Sequence, residues 1–386
     1  LENQKHPMKI GIEAQRLFRK KKHGMEVVTL ELIKELQILD LTNKYVIFVK
    51  DDEDSACLNE TENFKIRKLR SSPYPIWEQY LLPKAVSEEG IDILHCTSNT
   101  APIFINIPLI VTIHDIIYLE SLNFNGSAYQ NFGNLYRKIV VPFCISKSKV
   151  IITVSNFERS RIIEHTKINE AKIITVYNAK NNSFKVIEDK ILLDKVRRTY
   201  LLPEKFILFF GNTAPKKNTK RVLEAYAQYS LSSSEILPLV ITDCKESYIR
   251  SILRDINQLE VMNNIHVRDY IGFNDLPSVY NLAFIFLYPS LRESFGLPII
   301  ESMACGTPVI TSNTSSMPEV AGDAAILINP ENKDDIALAI ERITIDSQKH
   351  ERMTSAGLQR AGIFDWNSTA REVLKIYHLH QPPRLN

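Results

Sequence analysis

The chain has 386 residues, 44% of them apolar and 24% charged, with a formal net charge of +2. That is room for two ordinary domains with separate cores, and so balanced a charge makes no case for nucleic acid as a partner. Five scattered cysteines without ligand spacing exclude a disulfide framework and point to a reduced, cytoplasmic chain; no run nears the ~18 apolar residues of a spanning helix.

Leu1–Met8 is polar and is expected to be a lead-in to a native start at Met8 rather than a signal peptide. Beyond it, apolar runs alternate with amphipathic stretches, the pattern of α/β layers. Strands are predicted at Lys9–Glu13, Tyr45–Lys50, Phe64–Lys68, Ile91–His95, Leu109–Ile113, Val150–Val154 and Lys172–Tyr177. A helix is predicted over Glu26–Leu39, with Val27, Leu30, Ile33 and Leu36 on one side. Another is predicted over Asn156–His165, where Ser155 and Glu158 form a capping pattern. Polar Lys180–Lys190 and helix-like Ile191–Tyr200 make the best linker.

A second series follows, with strands at Phe206–Phe210, Leu237–Thr242, Ile265–Arg268, Phe284–Tyr288, Pro308–Thr311 and Ala325–Ile328. Helices are predicted at Lys217–Tyr229, Ser247–Glu260, Leu276–Leu282 and Gly296–Cys305, and a last one at Asp365–His380. The expected organisation is a domain over 8–185, a second over 186–364, and a C-terminal helix and tail over 365–386 returning toward the first. Two parallel sheets would face each other across a cleft at the carboxyl ends of their strands.

The stretch Glu293-Ser-Phe-Gly-Leu-Pro-Ile-Ile-Glu301 carries the most chemistry. A helix starting near Gly296 leaves unpaired amides and a partial positive charge between two carboxylates. That is an anion site flanked by acceptors for hydroxyls. Upstream, Phe209-Phe-Gly211-Asn-Thr-Ala-Pro-Lys216-Lys217-Asn218 follows a strand and opens a helix. Gly211 would allow a tight turn there, and Lys216 and Lys217 would bring cations to a diphosphate.

These segments, with Ser302-Met-Ala-Cys-Gly-Thr-Pro-Val309 and Pro318-Glu319-Val320-Ala321-Gly322-Asp323, resemble the retaining family 4 glycosyltransferases of the two-Rossmann-domain GT-B type. The resemblance runs from Met8 to about Tyr377. It implies that Glu293 contacts donor-sugar hydroxyls and Glu301 the nucleotide ribose. It implies a donor-binding set of Gly24, Gly211, Asn212, Lys216, Gly272, Ser294, Phe295, Gly296 and Leu297, with Lys217 on the diphosphate. Asn212 departs from the family's common arginine, for which Lys216 would substitute. The segment Tyr270-Ile-Gly272-Phe with Leu276 would pack on the nucleotide base.

In the first domain the resemblance makes His114, after the strand Leu109–Ile113, a donor-sugar contact beside the reacting centre, able to donate to a hydroxyl. Asp115 would orient it or cap the following segment. The basic run Arg19-Lys-Lys-Lys22 has open readings: an anionic acceptor such as a lipid diphosphate, peripheral contact with an anionic membrane, or a solvated loop. The acidic run Asp51–Asp54 is read as solvated surface.

The resemblance implies a cytoplasmic enzyme, peripheral at most to the inner face of the membrane, with no metal and no cofactor. It would transfer a sugar from a nucleotide-sugar, GDP-mannose first, with retention, to a glycan or lipid-linked glycan acceptor of bacterial surface polysaccharide. The competing readings are a UDP-sugar donor, a sugar-phosphate phosphorylase or epimerase, or a degenerate binding protein of the same fold.

Overall fold

A computed structural model describes residues 6–20, 22, 24–120, 128–233 and 235–383. The chain divides into two compact units, Leu1–Asn178 with Trp366–Asn386, and Ala179–Asp365.

The first unit holds a seven-stranded sheet in the order β3-β2-β1-β4-β5-β6-β7. Its strands are β1 Lys9–Glu13, β2 Lys44–Lys50, β3 Phe64–Leu69, β4 Ile93–Cys96, β5 Leu109–Ile113, β6 Val150–Thr153 and β7 Ile173–Thr175, all paired in parallel. Central strands β4, β5 and β6 are buried along their whole length, which is why they read as unbroken apolar runs. Edge strand β3 instead exposes Lys65, Arg67 and Lys68, charges that discourage further strand pairing. The helices are α1 Gly24–Leu39, α2 Tyr74–Ile76, α3 Leu82–Glu88, α4 Ile117–Glu120, α5 Ala128–Lys147 and α6 Asn156–Thr166.

On α1 the buried stripe is Val28, Leu30, Leu32, Ile33 and Leu36, so Val28 takes the place expected of half-buried Val27. Ser155 caps α6 as expected, its Oγ accepting the Glu158 amide at 3.1 Å. Long α5 was not predicted; its inner face, Val140, Val141, Cys144 and Ile145, joins the core.

The second unit holds a six-stranded parallel sheet in the order β10-β9-β8-β11-β12-β13. Its strands are β8 Ile207–Phe210, β9 Leu239–Thr242, β10 Ile265–Arg268, β11 Ile285–Tyr288, β12 Val309–Ser312 and β13 Ala325–Ile328. Its helices are α7 Lys190–Thr199, α8 Thr219–Ser232, α9 Glu246–Asp255, α10 Leu276–Leu282, α11 Leu297–Ala304, α12 Met317–Ala321, α13 Lys333–Ile345 and α14 Ser347–Ala361. Every predicted strand forms, with ends shifted by a residue or two.

Two helices differ from expectation. The helix expected from Lys217 starts at Thr219, because Pro215–Lys217 forms a separate 3-10 turn and Asn218 is left-handed (φ 62). The helix expected over Ser247–Glu260 stops at Asp255, before left-handed Asn257.

The final helix, α15 Trp366–Leu379, belongs to the first unit and packs on α1. His95, buried in β4, ties it down: Nδ1 meets the Tyr377 hydroxyl at 2.7 Å and Nε2 meets Thr112 Oγ1 at 2.8 Å. Burial, with the field of His114, pushes the His95 pKa down to about 3, so this bridge stays neutral.

Candidate functional site

Parallel strands β8, β9, β11 and β12 end on one edge of the second sheet, and the loops leaving those ends carry the candidate residues. Gly211, just after β8, is not left-handed, so its place there does not rest on backbone conformation. A Cβ there would lie 2.9 Å from Ile241 Cγ2 and 3.0 Å from Phe209 Cε1, so glycine is required for space. Asn212 shapes the next turn, its Oδ1 accepting the Ala214 amide at 2.8 Å and its carbonyl the Thr219 hydroxyl at 2.8 Å.

The lysine loop is stitched to the glutamate loop. The Leu291 amide donates to the Lys216 carbonyl at 2.8 Å. Buried Asn218 sends Nδ2 to the carbonyls of Pro289 (3.1 Å) and Pro330 (2.6 Å). Held this way, Lys217 Nζ lies 2.8 Å from Glu293 Oε1 and 3.0 Å from the Tyr288 hydroxyl, and 4.8 Å over the Tyr288 ring. Lys216 Nζ lies 3.8 Å from the other Glu293 oxygen. Burial opposes ionisation of Glu293, but Lys217, Lys216 and hydrogen bonds from Lys217 and Tyr288 outweigh it and hold its pKa below the usual carboxylate range. Lys217 also acts electrostatically on Asp243, a left-handed residue after β9 that no sequence motif singled out.

Helix α11 begins after Gly296, whose φ of 101 suits glycine. No side chain caps this helix, and Pro298 in its first turn has no N–H. The Ile299 amide is taken by the Gly296 carbonyl, whereas the amides of Gly296 and Leu297 have no hydrogen-bonded partner among the described residues. Ser294 is half-buried. Phe295 is a core side chain, edge-on to Phe364 at 5.7 Å, and offers a ligand only its backbone. Two residues unforeseen from the sequence clasp this loop. Ser315 Oγ accepts the Glu293 amide at 3.1 Å, and Ser316 Oγ is shared between the carbonyls of Glu293 and Phe295, both at 2.9 Å.

Glu301 lies within α11, its Oε2 accepting from the Tyr280 hydroxyl at 3.3 Å. With no cation acting on it among the described residues, burial pushes its pKa up to about 7 against that one hydrogen bond. The Gly272 amide is already used, donating to the Tyr200 hydroxyl at 3.2 Å, which in turn donates to Asp275 Oδ2 at 2.7 Å. Tyr270 and Phe273 beside it are exposed.

In the first unit, His114 is buried at the end of β5. Its Nε2 faces the Thr97 carbonyl at 2.9 Å, and a carbonyl only accepts, so Nε2 carries the proton. Burial lowers its pKa, leaving a neutral ring whose Nδ1 accepts. This reverses the expectation that His114 donates to a hydroxyl. Asp115 Oδ1 accepts the Ile117 amide at 3.2 Å, so it caps the following segment.

The basic run does not stand alone. Arg19 lies 4.0 Å from Glu26, Lys20 3.8 Å from Glu53 and Lys22 2.5 Å from Asp54, while Asp51 pairs with Lys68 at 2.9 Å. The acidic run is exposed at Asp51, Asp52 and Glu53, as expected of solvated surface, and Glu53 and Asp54 also give counter-charge to the basic loop. Lys21 and His23 lie outside the described residues. Gly24, the first residue of α1, has open space where a Cβ would be. Among the described residues, no group of three or more His, Cys, Asp or Glu side chains could hold a metal ion.

Two parallel α/β units, with lysines and carboxylates gathered on the carboxyl edge of the second sheet, define a two-Rossmann-domain protein. The family model for glycosyl transferases group 1 matches residues 195–360, and that for Glycosyltransferase Family 4 matches residues 23–181. The chain belongs to the group 1 glycosyltransferases, and its fold is of the GT-B type.

O-antigen chain mannosyltransferase B of Escherichia coli is 30% identical over 236 residues, 61% of this chain and 62% of that protein. Serotype-specific mannosyltransferase WbdA of Escherichia coli is 28% identical over 263 residues, 67% of this chain and 32% of WbdA. The chain thus spans less than two thirds of the length of these relatives. Among solved structures, Anabaena Alr3699/HepE in complex with UDP and glucose has a TM-score of 0.73 at 18% identity, over 96% of this chain and 99% of that one.

Proposed function

We propose that the protein transfers a hexose from a nucleoside-diphosphate sugar to a hydroxyl of a glycan or lipid-linked glycan, with retention of configuration, in surface polysaccharide synthesis. The observation that carries this is the cluster at the start of α11. Open amides of Gly296 and Leu297 and the ammonium of Lys217 gather beside one ionised carboxylate, Glu293, with a second, Glu301, further along the helix.

In this reading the diphosphate takes the amides together with Lys217 and Lys216, Glu293 accepts from sugar hydroxyls, and Glu301 accepts from the ribose. His114 contributes Nδ1 as an acceptor for a sugar hydroxyl. The bond from the anomeric carbon to the diphosphate oxygen breaks as the acceptor oxygen bonds on the same face. The departing phosphate oxygen takes the acceptor's proton, so no side chain need serve as nucleophile.

GDP-mannose is the donor we favour, supported by the mannosyltransferase relatives. A UDP-sugar is the second reading, favoured by the HepE complex with UDP and glucose. A thermal-shift panel of GDP- and UDP-sugars tests both. At a hundred times its Kd a donor adds about 2.7 kcal/mol of stability, several degrees of melting. A shift with UDP compounds alone overturns the mannose donor, and no shift with any nucleotide overturns the site. Glu293→Ala should lower turnover by about a hundredfold or more while the chain stays folded; near-normal transfer would remove Glu293 from its assigned place.

A further inference from the structure

Arg16 lies just past the carboxyl end of β1 and is half-buried. The other half-buried arginines of the first unit each have an acceptor: Arg19 has Glu26, Arg137 has Asn134 Oδ1, Arg159 has Glu170 and Arg161 has Glu164. Arg16 alone sends its side chain to no hydrogen-bond or ion-pair partner among the described residues. A guanidinium has five N–H donors, and taking them from water without an acceptor costs free energy that a bound oxyanion restores.

What steadies Arg16 is a ring. Its guanidinium carbon lies 5.2 Å from the centroid of Tyr74, a contact that uses none of the N–H donors. The ring is itself held, because the Tyr74 hydroxyl donates to Glu78 Oε1 at 2.7 Å. Thr100 donates to the same oxygen, and Tyr136 and Gln79 donate to Oε2 at 2.5 and 2.9 Å. Glu78 sits fully buried on a π-helical turn, Trp77–Leu81, an element found mostly at functional sites. With four donors it has no need of the guanidinium. Glu13 makes no ion pair with Arg16 either; its Oε1 accepts the Gln15 amide at 2.9 Å. Arg16 shares its sheet edge with His114, since β1, β4 and β5 are neighbours. Thr97, after β4, joins the two, its hydroxyl donating to the Glu13 carbonyl at 2.8 Å and its own carbonyl accepting from His114.

We propose that Arg16, steadied on Tyr74, recognises the acceptor by binding an oxyanion that it carries, a phosphate or a carboxylate. A planar fork of free N–H donors matches either group with two parallel hydrogen bonds. The proposal rests on the transfer reading above and gives its acceptor a negative charge. It differs from the basic-loop reading, because Arg19, Lys20 and Lys22 are already engaged by Glu26, Glu53 and Asp54. It differs also from the donor diphosphate, which that reading places on Lys217 and the α11 amides of the second unit.

The test is calorimetric titration with geranyl diphosphate, methyl glucuronide and, as a neutral control, methyl mannoside, on the unaltered chain and on Arg16→Gln. Diphosphate that settles in the second unit binds both proteins alike, so their difference isolates Arg16. At least one anionic probe should bind, and Arg16→Gln should weaken it about tenfold or more. Geranyl diphosphate alone assigns the oxyanion to a lipid diphosphate, and methyl glucuronide alone assigns it to an acidic sugar. Arg16→Lys keeps the charge that Glu13 and Glu78 feel but loses the fork, and should still bind about threefold or more weakly. Binding of neither anion, or equal binding by the unaltered chain and Arg16→Gln, overturns the proposal. So does an equal loss for methyl mannoside, which would leave Arg16 a holder of hydroxyls. Full recovery in Arg16→Lys also overturns it, because the guanidinium would then be only a counter-charge within the fold. GDP binding should be the same in Arg16→Gln; its absence from the unaltered chain would overturn the donor reading and leave the Arg16 comparison standing.

Discussion

Replacing Lys217 by Met removes the ammonium and keeps an apolar stem of similar length. At 2.8 Å from Glu293, with an effective dielectric of about 20, the bare attraction is about 6 kcal/mol. Desolvation of side chains only 18% and 12% exposed offsets most of that. Lys216, 3.8 Å from the second carboxylate oxygen, takes up part of the rest. A loss of about 2 kcal/mol remains, between the surface and buried limits, or about 4–8 °C of melting for a unit of this size.

The pH dependence is the sharper readout. Glu293 is buried yet held below its ordinary pKa by Lys217 first, so its stabilisation is present above about pH 4.5 and disappears as pH falls through the lower folded value. In Lys217→Met burial is opposed mainly by Lys216, and the Glu293 pKa rises. The deficit against the unaltered chain should therefore be greatest near neutrality and close as pH falls below the usual carboxylate range. Calorimetric melting between about pH 3 and 8 reads this directly. A deficit of equal size at every pH would mean only lost packing. No deficit at neutral pH would mean that the ammonium points to solvent, and either result refutes the pairing.

Glu13, 1% exposed, has its pKa pushed up to about 7 by burial, against the Gln15 amide. A raised folded pKa means that stability falls as pH climbs from about 4.5 to about 7, so Glu13→Gln should flatten that slope and gain up to about 3 kcal/mol at pH 8 relative to pH 4.5 in urea unfolding. Parallel curves would refute it. Asn218→Ala should cost about 3 kcal/mol, from strain at φ 62 and the loss of two buried hydrogen bonds, the Pro330 carbonyl keeping only a 3.5 Å contact from Arg221. Asn218→Gly should cost about 1 kcal/mol less, because glycine adopts that backbone freely; equal costs would show that strain plays no part. Nitrogen NMR of His114 should find the proton on Nε2 and a ring still neutral below its ordinary pKa, whereas an Nδ1–H tautomer would restore it as a donor.

The strands were legible because burial on both faces forces unbroken apolar runs, as in Leu109–Ile113. Helix α5 was not, because its outward stripe of Phe132, Leu135, Ile139 and Phe143 hides the period that burial alone would write. Pro142 inside it further reads as a breaker. At the site, Glu293, Gly296 and Lys217 were legible from short motifs whose residues act close to their own turns. The clasp from Ser315 and Ser316 was not, since it joins loops 22 and 23 residues apart. Asn218 spans 71 and 112 residues to its carbonyl partners, a pairing fixed only when β8, β11, β12 and β13 are ordered in one sheet. The polarity of His114 depends on the Thr97 carbonyl, which follows a different strand.

The carboxylates of one motif differ in charge state because their surroundings differ. Glu293 has lysines and is ionised; among the described residues Glu301 has the Tyr280 hydroxyl alone, and burial leaves it near half-protonated at neutral pH, with a pKa of about 7. If Glu301 grips ribose hydroxyls as a carboxylate, those donors favour its charged form and lower its pKa by a unit or more. Nucleotide binding near pH 7 should then release about half a proton, and affinity should strengthen as pH rises through that range. A diphosphate acting by its negative charge alone would do the reverse, raising nearby carboxylate pKa values and drawing protons in. Titration calorimetry of GDP in buffers of differing ionisation enthalpy measures the sign. Release that vanishes in Glu301→Gln supports the ribose contact. Uptake, or release of equal size in Glu301→Gln, would show that Glu301 does not hold the ribose.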